Sequence, residues 1–234
     1  MRTCAFFVTV CLTAVLVTPV ESWAADPGGL YMMTRMVMGS SLELAGWYFK
    51  NGQVAENPRG DLGRFDFKAA AAAAPATTGT YAVAGKKMTM SWANGKKTTA
   101  DYEPGDHGCF YWDMGSFCPV EPFGKNQKID GVFSGGASAG SGRVANATTL
   151  TLTSAGEYRL EQVGSVRSAP SAGTQLQAGS SGGERGTYEL SGTVLTLKSA
   201  GGQARQVLTF PYDDGSKGPQ PRRVFFDGAM LKRQ

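Results

Sequence analysis

The chain has 234 residues, 41% of them hydrophobic and 18% charged, with a formal net charge of +4. That apolar content is enough to fill a core, and so modest a basic excess argues against a nucleic-acid partner. A single histidine, together with the cysteine pair read below as a disulfide, excludes the common zinc sets, while 32 glycines, about twice the usual share, suit a β-rich chain with many tight turns.

Residues 1–24 read as a secretory signal peptide. Met1-Arg2 is a short positive start, residues 5–17 form an apolar run, and Ser22-Trp23-Ala24 offers a small-x-small cleavage site before Ala25. The run is shorter than the roughly 18 residues of a spanning helix. Cys11 follows Val10 rather than a small residue, which argues against a lipid anchor. The expected location is secreted or periplasmic, with no transmembrane segment in the mature chain. Cleavage removes Cys4 and Cys11 and leaves Cys109 and Cys118.

Two related halves follow, 25–124 and 125–234. Gly29-Leu30-Tyr31 opens the first and Gly131-Val132-Phe133 the second. The segment from Trp47 to Val54 reads as strand, glycine turn, strand, and the segment from Leu150 to Tyr158 repeats it. Residues 68–76 carry six consecutive alanines, too few for an isolated helix and suited to a helical turn or packed spacer. Gly79-Thr80-Tyr81-Ala82-Val83-Ala84-Gly85 then recurs as Gly186-Thr187-Tyr188-Glu189-Leu190-Ser191-Gly192. An alternating strand follows each copy, Met88-Thr89-Met90-Ser91-Trp92 and Leu195-Thr196-Leu197-Lys198, and then a turn pair, Asn94-Gly95 and Gly201-Gly202. Residues 134–147 and 164–185, rich in Gly, Ser and Ala, read as long exposed loops.

Each half ends on a short hairpin, the first turning over residues 113–116 and the second within Val224-Phe225-Phe226-Asp227-Gly228-Ala229-Met230. Cys109 and Cys118 bracket the first. In an exported protein such a pair on opposing arms forms a disulfide, stabilising by no more than roughly 2–3 kcal/mol for so small a loop. Self-similarity of this kind, with one apolar and one wet face per strand, predicts an all-β fold: a duplicated antiparallel meander of six to eight strands per half. The halves form either two small tandem barrels or one larger barrel or sandwich.

The unit from Gly186 to Leu197, its continuation Val207-Leu208-Thr209-Phe210-Pro211-Tyr212, and the closing Val224-Phe225-Phe226-Asp227-Gly228 resemble a recurring unit of bacterial lipocalin-like secreted proteins. The likeness covers 129–233 well and 28–120 more loosely. It implies a calycin-type barrel and little chemistry.

Candidate chemistry is sparse. His107, beside Asp106, is the one histidine for a Ser-His-Asp arrangement, and no Gly-x-Ser-x-Gly elbow accompanies it. Asp213-Asp214-Gly215 is a possible calcium fragment that reads more simply as a turn. The first half is nearly balanced in charge, with 9 basic and 10 acidic residues. The second holds 13 and 8, with Arg222, Arg223, Lys232 and Arg233 flanking the last hairpin. Tyr31, Met33, Trp47, Phe49, Met88, Met90 and Trp92 form the candidate ligand-binding set, an aromatic and sulfur-rich lining for a barrel interior. The expectation is a non-enzymatic binding or scaffold protein of the cell envelope, without cofactor or metal, with a small apolar molecule or an envelope protein as partner. The alternative is an interaction or inhibitor module acting through the Gly/Ser-rich loops.

Overall fold

A computed structural model describes residues 26–37, 41–139, 144–167, 177–212 and 220–234; the leader segment and Asp213-Asp214-Gly215 lie outside them. The chain folds as two closed antiparallel barrels of eight strands each. The first comprises β1 (Gly29–Val37), β2 (Ser41–Lys50), β3 (Gln53–Glu56), β4 (Thr78–Ala84), β5 (Lys87–Trp92), β6 (Lys97–Pro104), β7 (Phe110–Trp112) and β8 (Gly115–Pro119). The second comprises β9 (Gly131–Ala139), β10 (Val144–Leu152), β11 (Glu157–Arg167), β12 (Gln177–Ser191), β13 (Val194–Ser199), β14 (Ala204–Pro211), β15 (Arg223–Phe226) and β16 (Ala229–Arg233). Each strand pairs with its successor, and β8 returns to β1 as β16 returns to β9, so neither barrel has an open sheet edge. The two open alternatives thus resolve as tandem barrels.

The echoed Gly-Thr-Tyr segments are β4 and the end of β12. A Cβ on Gly79 would stand 2.2 Å from the Ser91 carbonyl oxygen, and one on Gly186 would stand 1.9 Å from that of Lys198. Glycine is required at both because the next strand's backbone crosses there. The tyrosines act alike too. Tyr81 Oη donates to the Pro27 carbonyl at 2.6 Å, and Tyr188 Oη donates to the Ile129 carbonyl at 2.7 Å while accepting from its N–H at 2.9 Å. Each therefore fastens the chain two residues before the glycine that opens its own barrel. The repeat encodes a latch and a close strand crossing.

Alternation holds where one face is wet. In β5, Met88 and Met90 are buried and Lys87 is exposed, and β13 buries Leu195 and Leu197 with Lys198 exposed. It fails in β1, where Leu30 to Met33 are all buried, and in β14, where Val207 to Phe210 are all buried. The expected wet face of these strands is instead an interface. Leu30, Met32 and Tyr48 of the first barrel form one core with Leu208, Phe210 and Phe225 of the second. Gly46 lies against Leu208, whose Cδ2 would be 2.4 Å from an added Cβ. The barrels are joined by this apolar seam, and a linker residue, Phe123, bridges to Gly192 and enters the second core.

One expectation changes with the fold and another is decided between its alternatives. The described parts of the Gly/Ser-rich stretches expected as loops are ladder, while 140–143 and 168–176 lie outside the described residues: β9 pairs β10 from Gly131 to Ala139, and β11 pairs β12 as far as Arg167 and Gln177. Small side chains leave backbone pairing unhindered, so the hydrogen-bond ladder continues past the apolar core. The alanine run is a short helix, α1 (Phe67–Ala73), because Asp66 caps it by accepting from Lys68 and Ala69 N–H groups. Phe67 anchors it in the seam core.

Candidate functional site

All seven members of the aromatic and sulfur-rich set come together inside the first barrel, Trp92 at its half-buried margin. They pack on one another. Tyr31 meets Phe49 edge-on at 5.5 Å, Trp47 meets Trp92 at 5.5 Å, and Trp47 stacks on Phe49 at 6.1 Å between ring centroids. Phe110 and Phe117, which the sequence reading did not single out, fill the centre as a stacked pair 4.6 Å apart. Below Trp47 the interior is a side-chain core of the sort that fills small barrels.

At the end where β1 meets β2 and β7 meets β8, the side chains of Arg35, Glu43 and Asp113 are 27%, 36% and 35% exposed. Inward positions continue past the apolar core there: Arg35 two residues beyond Met33, Glu43 two before Ala45, and Glu56 two beyond Val54. Arg35 and Glu43 are register partners, as are Trp47 and Glu56. The Arg35 guanidinium donates from Nε to Glu43 Oε2 at 2.9 Å and from Nη1 to Asp113 Oδ2 at 3.2 Å. Asp113 belongs to the β7–β8 turn, so this ion pair ties the closing hairpin to β1. Glu56 has no ion pair or side-chain hydrogen bond among the described residues. Its pKa is raised, first by burial and then by Glu43, against a smaller lowering from Arg35.

Beneath these charges sits Trp47, 3% exposed, with its Nε1–H buried and without a hydrogen-bond partner among the described residues. Trp112 on the neighbouring wall shows the ordinary outcome, its Nε1–H donating to the Met88 carbonyl at 2.9 Å. An unpaired buried donor costs roughly 1–3 kcal/mol, and a ring face offers far less than a carbonyl in return.

The outer margin of the same end is apolar. Met36 and Leu42, cross-strand partners on β1 and β2, are more than half exposed, as is Met114 at 86%, and Val37 is also exposed. Met114 is the second central residue of a turn in which both it and Asp113 have positive φ (60° and 47°). The equivalent turn of the second barrel is Asp227-Gly228, with φ of 47° and 85°, and carries the glycine this turn favours. The first barrel thus places an exposed methionine where its own duplicate uses glycine.

The second barrel also carries inward polar groups at one end. Tyr158 donates to Glu184, which pairs with Arg205 at 3.5 Å. Burial, then the hydrogen bond and charge of Glu184, push the Tyr158 hydroxyl up to about 12. Arg205 Nε is buried without a partner among the described residues. Clefts also lie on the outside of the barrels. One of about 630 Å³ lies between the barrels, lined by Leu30, Val120, Thr193 and Gln206, and one of about 760 Å³ runs beside α1.

The remaining sequence candidates stand apart. His107 is exposed on a 3-10 turn with φ of 55° and makes no side-chain hydrogen bond among the described residues. Cys109 and Cys118 are disulfide-bonded. Among the described residues no cluster of three or more His, Cys, Asp or Glu is placed to hold a metal, and no helix is long and apolar enough to cross a membrane. In the basic group, Arg223 and Lys232 are register partners, and Arg233 donates to the Asp130 carbonyl while lying over Phe133. No protein-family model, curated protein or solved structure matches the chain.

Proposed function

We propose that this is an exported, lipocalin-like, non-enzymatic protein of the cell envelope that binds a small molecule with an apolar body at the open end of its first barrel. The observation that carries this reading is the unpartnered, buried Nε1–H of Trp47 beneath that end. A protein retains such a donor at a cost in stability, and sites that break a local rule without a structural gain are where function is expected. The exposed Met114 at the rim of the same end provides apolar surface for the rest of the ligand. The seven aromatic and methionine residues then act as the rigid floor and wall of the site, with Trp47 and Trp92 nearest to the ligand.

Native mass spectrometry of the protein purified from its host tests the reading. A small molecule of defined mass is expected on the protein, lost when Trp92 is replaced by alanine. Protein that carries no adduct, and whose tryptophan fluorescence is unchanged by a small-molecule library, overturns it. A stoichiometric protein partner instead of an adduct would favour the interaction module. The segments first assigned to that role are paired strand at 164–167 and 177–185.

A further inference from the structure

The inward charges at the first barrel's open end do not balance. Glu43, Glu56 and Asp113 face one guanidinium, Arg35, which already spends its contacts on Glu43 and Asp113. Glu56 is left as a half-buried carboxylate that makes no ion pair among the described residues, opposite the buried Trp47 in the β2–β3 register. An anionic ligand would meet three carboxylates. A neutral apolar ligand would bury Glu56 further without pairing it, at a desolvation cost. A positively charged head instead pairs with Glu56 and lies against tryptophan, the best aromatic partner for a cation.

We infer that the open end of the first barrel takes an organic cation with an apolar body, its head beside Glu56 and Trp47 and its body along Met114 at the rim. This rests on that end being the ligand site. An acceptor atom next to the cationic centre would satisfy the Trp47 Nε1–H. The raised pKa of Glu56 accords with the same chemistry, because an arriving cation offsets both the burial and the Glu43 charge that raise it.

Calorimetric titration of the whole protein with three probes sharing one tail tests the class: hexyltrimethylammonium, 1-hexanol and hexyl sulfate. The cation is expected to bind about ten-fold more tightly than hexanol, and hexyl sulfate most weakly. Glu56→Gln should reduce the cation's affinity by about the same factor and leave hexanol unchanged. Glu189→Gln, on the second barrel's outer face, should change neither. Met114→Gly should weaken hexyltrimethylammonium but not tetramethylammonium. Hexanol binding as tightly as the cation, with a tryptophan response, overturns the cation class while leaving the site in place. Unchanged cation affinity in Glu56→Gln overturns it as well. If no probe binds at about 20 mM, the binding below −2.3 kcal/mol that a charge-paired site provides is absent and the inference falls; the site itself is then judged by the adduct on host-purified protein.

Discussion

Met114 has a positive φ and a side chain that is almost fully exposed, so it gains nothing from burial and bears the left-handed penalty of a non-glycine residue. Replacing it with glycine, the residue in the duplicate turn, should raise stability by about 1 kcal/mol, measured by chemical denaturation. Glu56 makes the complementary case. Its folded pKa is raised by burial and by Glu43, with Arg35 opposing, so folding favours the protonated form. Below the ordinary glutamate range both states hold the proton, and Glu56→Gln should be as stable as the parent. As pH rises through that range the unfolded chain ionises first, and the parent loses stability until the folded carboxyl has ionised too. Glu56→Gln should therefore unfold at a higher temperature than the parent at pH 7 and at the same temperature near pH 3. A gap that widens toward low pH would contradict this. Neither residue was legible as special from sequence, since a methionine in a turn and a glutamate after an apolar pair are both unremarkable. Their meaning comes from the register that puts Glu56 opposite Trp47 and from the duplicate that shows glycine where Met114 stands.

At the scale of elements, the Gly-Thr-Tyr echo marks the same device twice: a glycine where adjacent backbones cross and a tyrosine that fastens the entry to β1 or β9. Gly186→Ala places a methyl 1.9 Å from the Lys198 carbonyl oxygen. It should cost about 2–3 kcal/mol, read as a drop in the denaturation midpoint without change in its slope. Such glycines are visible in sequence as a repeat, but not the reason for them, because the crossing strand is defined only once the sheet closes. The glycine- and serine-rich stretches mislead in the opposite direction. Their composition suits loops, yet β11 and β12 remain paired as far as Arg167 and Gln177, because backbone hydrogen bonding needs no apolar side chains once a neighbouring strand is in register. The alanine run was legible only as helical or spacer, and the Asp66 cap with the Phe67 anchor decides for helix.

For the molecule as a whole, the seam between the barrels governs cooperativity. Phe210 is fully buried and stacks on Phe225 at 4.5 Å within a core that also holds Leu30, Met32 and Tyr48. Phe210→Ser should remove roughly 3 kcal/mol or more, most of it from the coupling between barrels. Calorimetry should then resolve two unfolding transitions where the parent shows one, and a single transition shifted intact to lower temperature would contradict that role. The signal for this seam was present in the sequence as the unbroken runs Leu30-Tyr31-Met32-Met33 and Val207-Leu208-Thr209-Phe210. Strands buried on both faces read in this way, whereas the exposed-face strands β5 and β13 alternate.

The sequence by itself determined that the chain is β, that it is duplicated, where the paired cysteines lie and which side chains share an interior, because turn residues and a two-residue period are local properties. Tertiary structure alone decided that each half closes into its own barrel, that five strands surrender their wet face to a seam, and that Arg35, Glu43, Glu56 and Asp113 meet above Trp47. These depend on which strands become neighbours, and closure brings together residues as far apart as Arg35 and Asp113, a juxtaposition that no local pattern encodes.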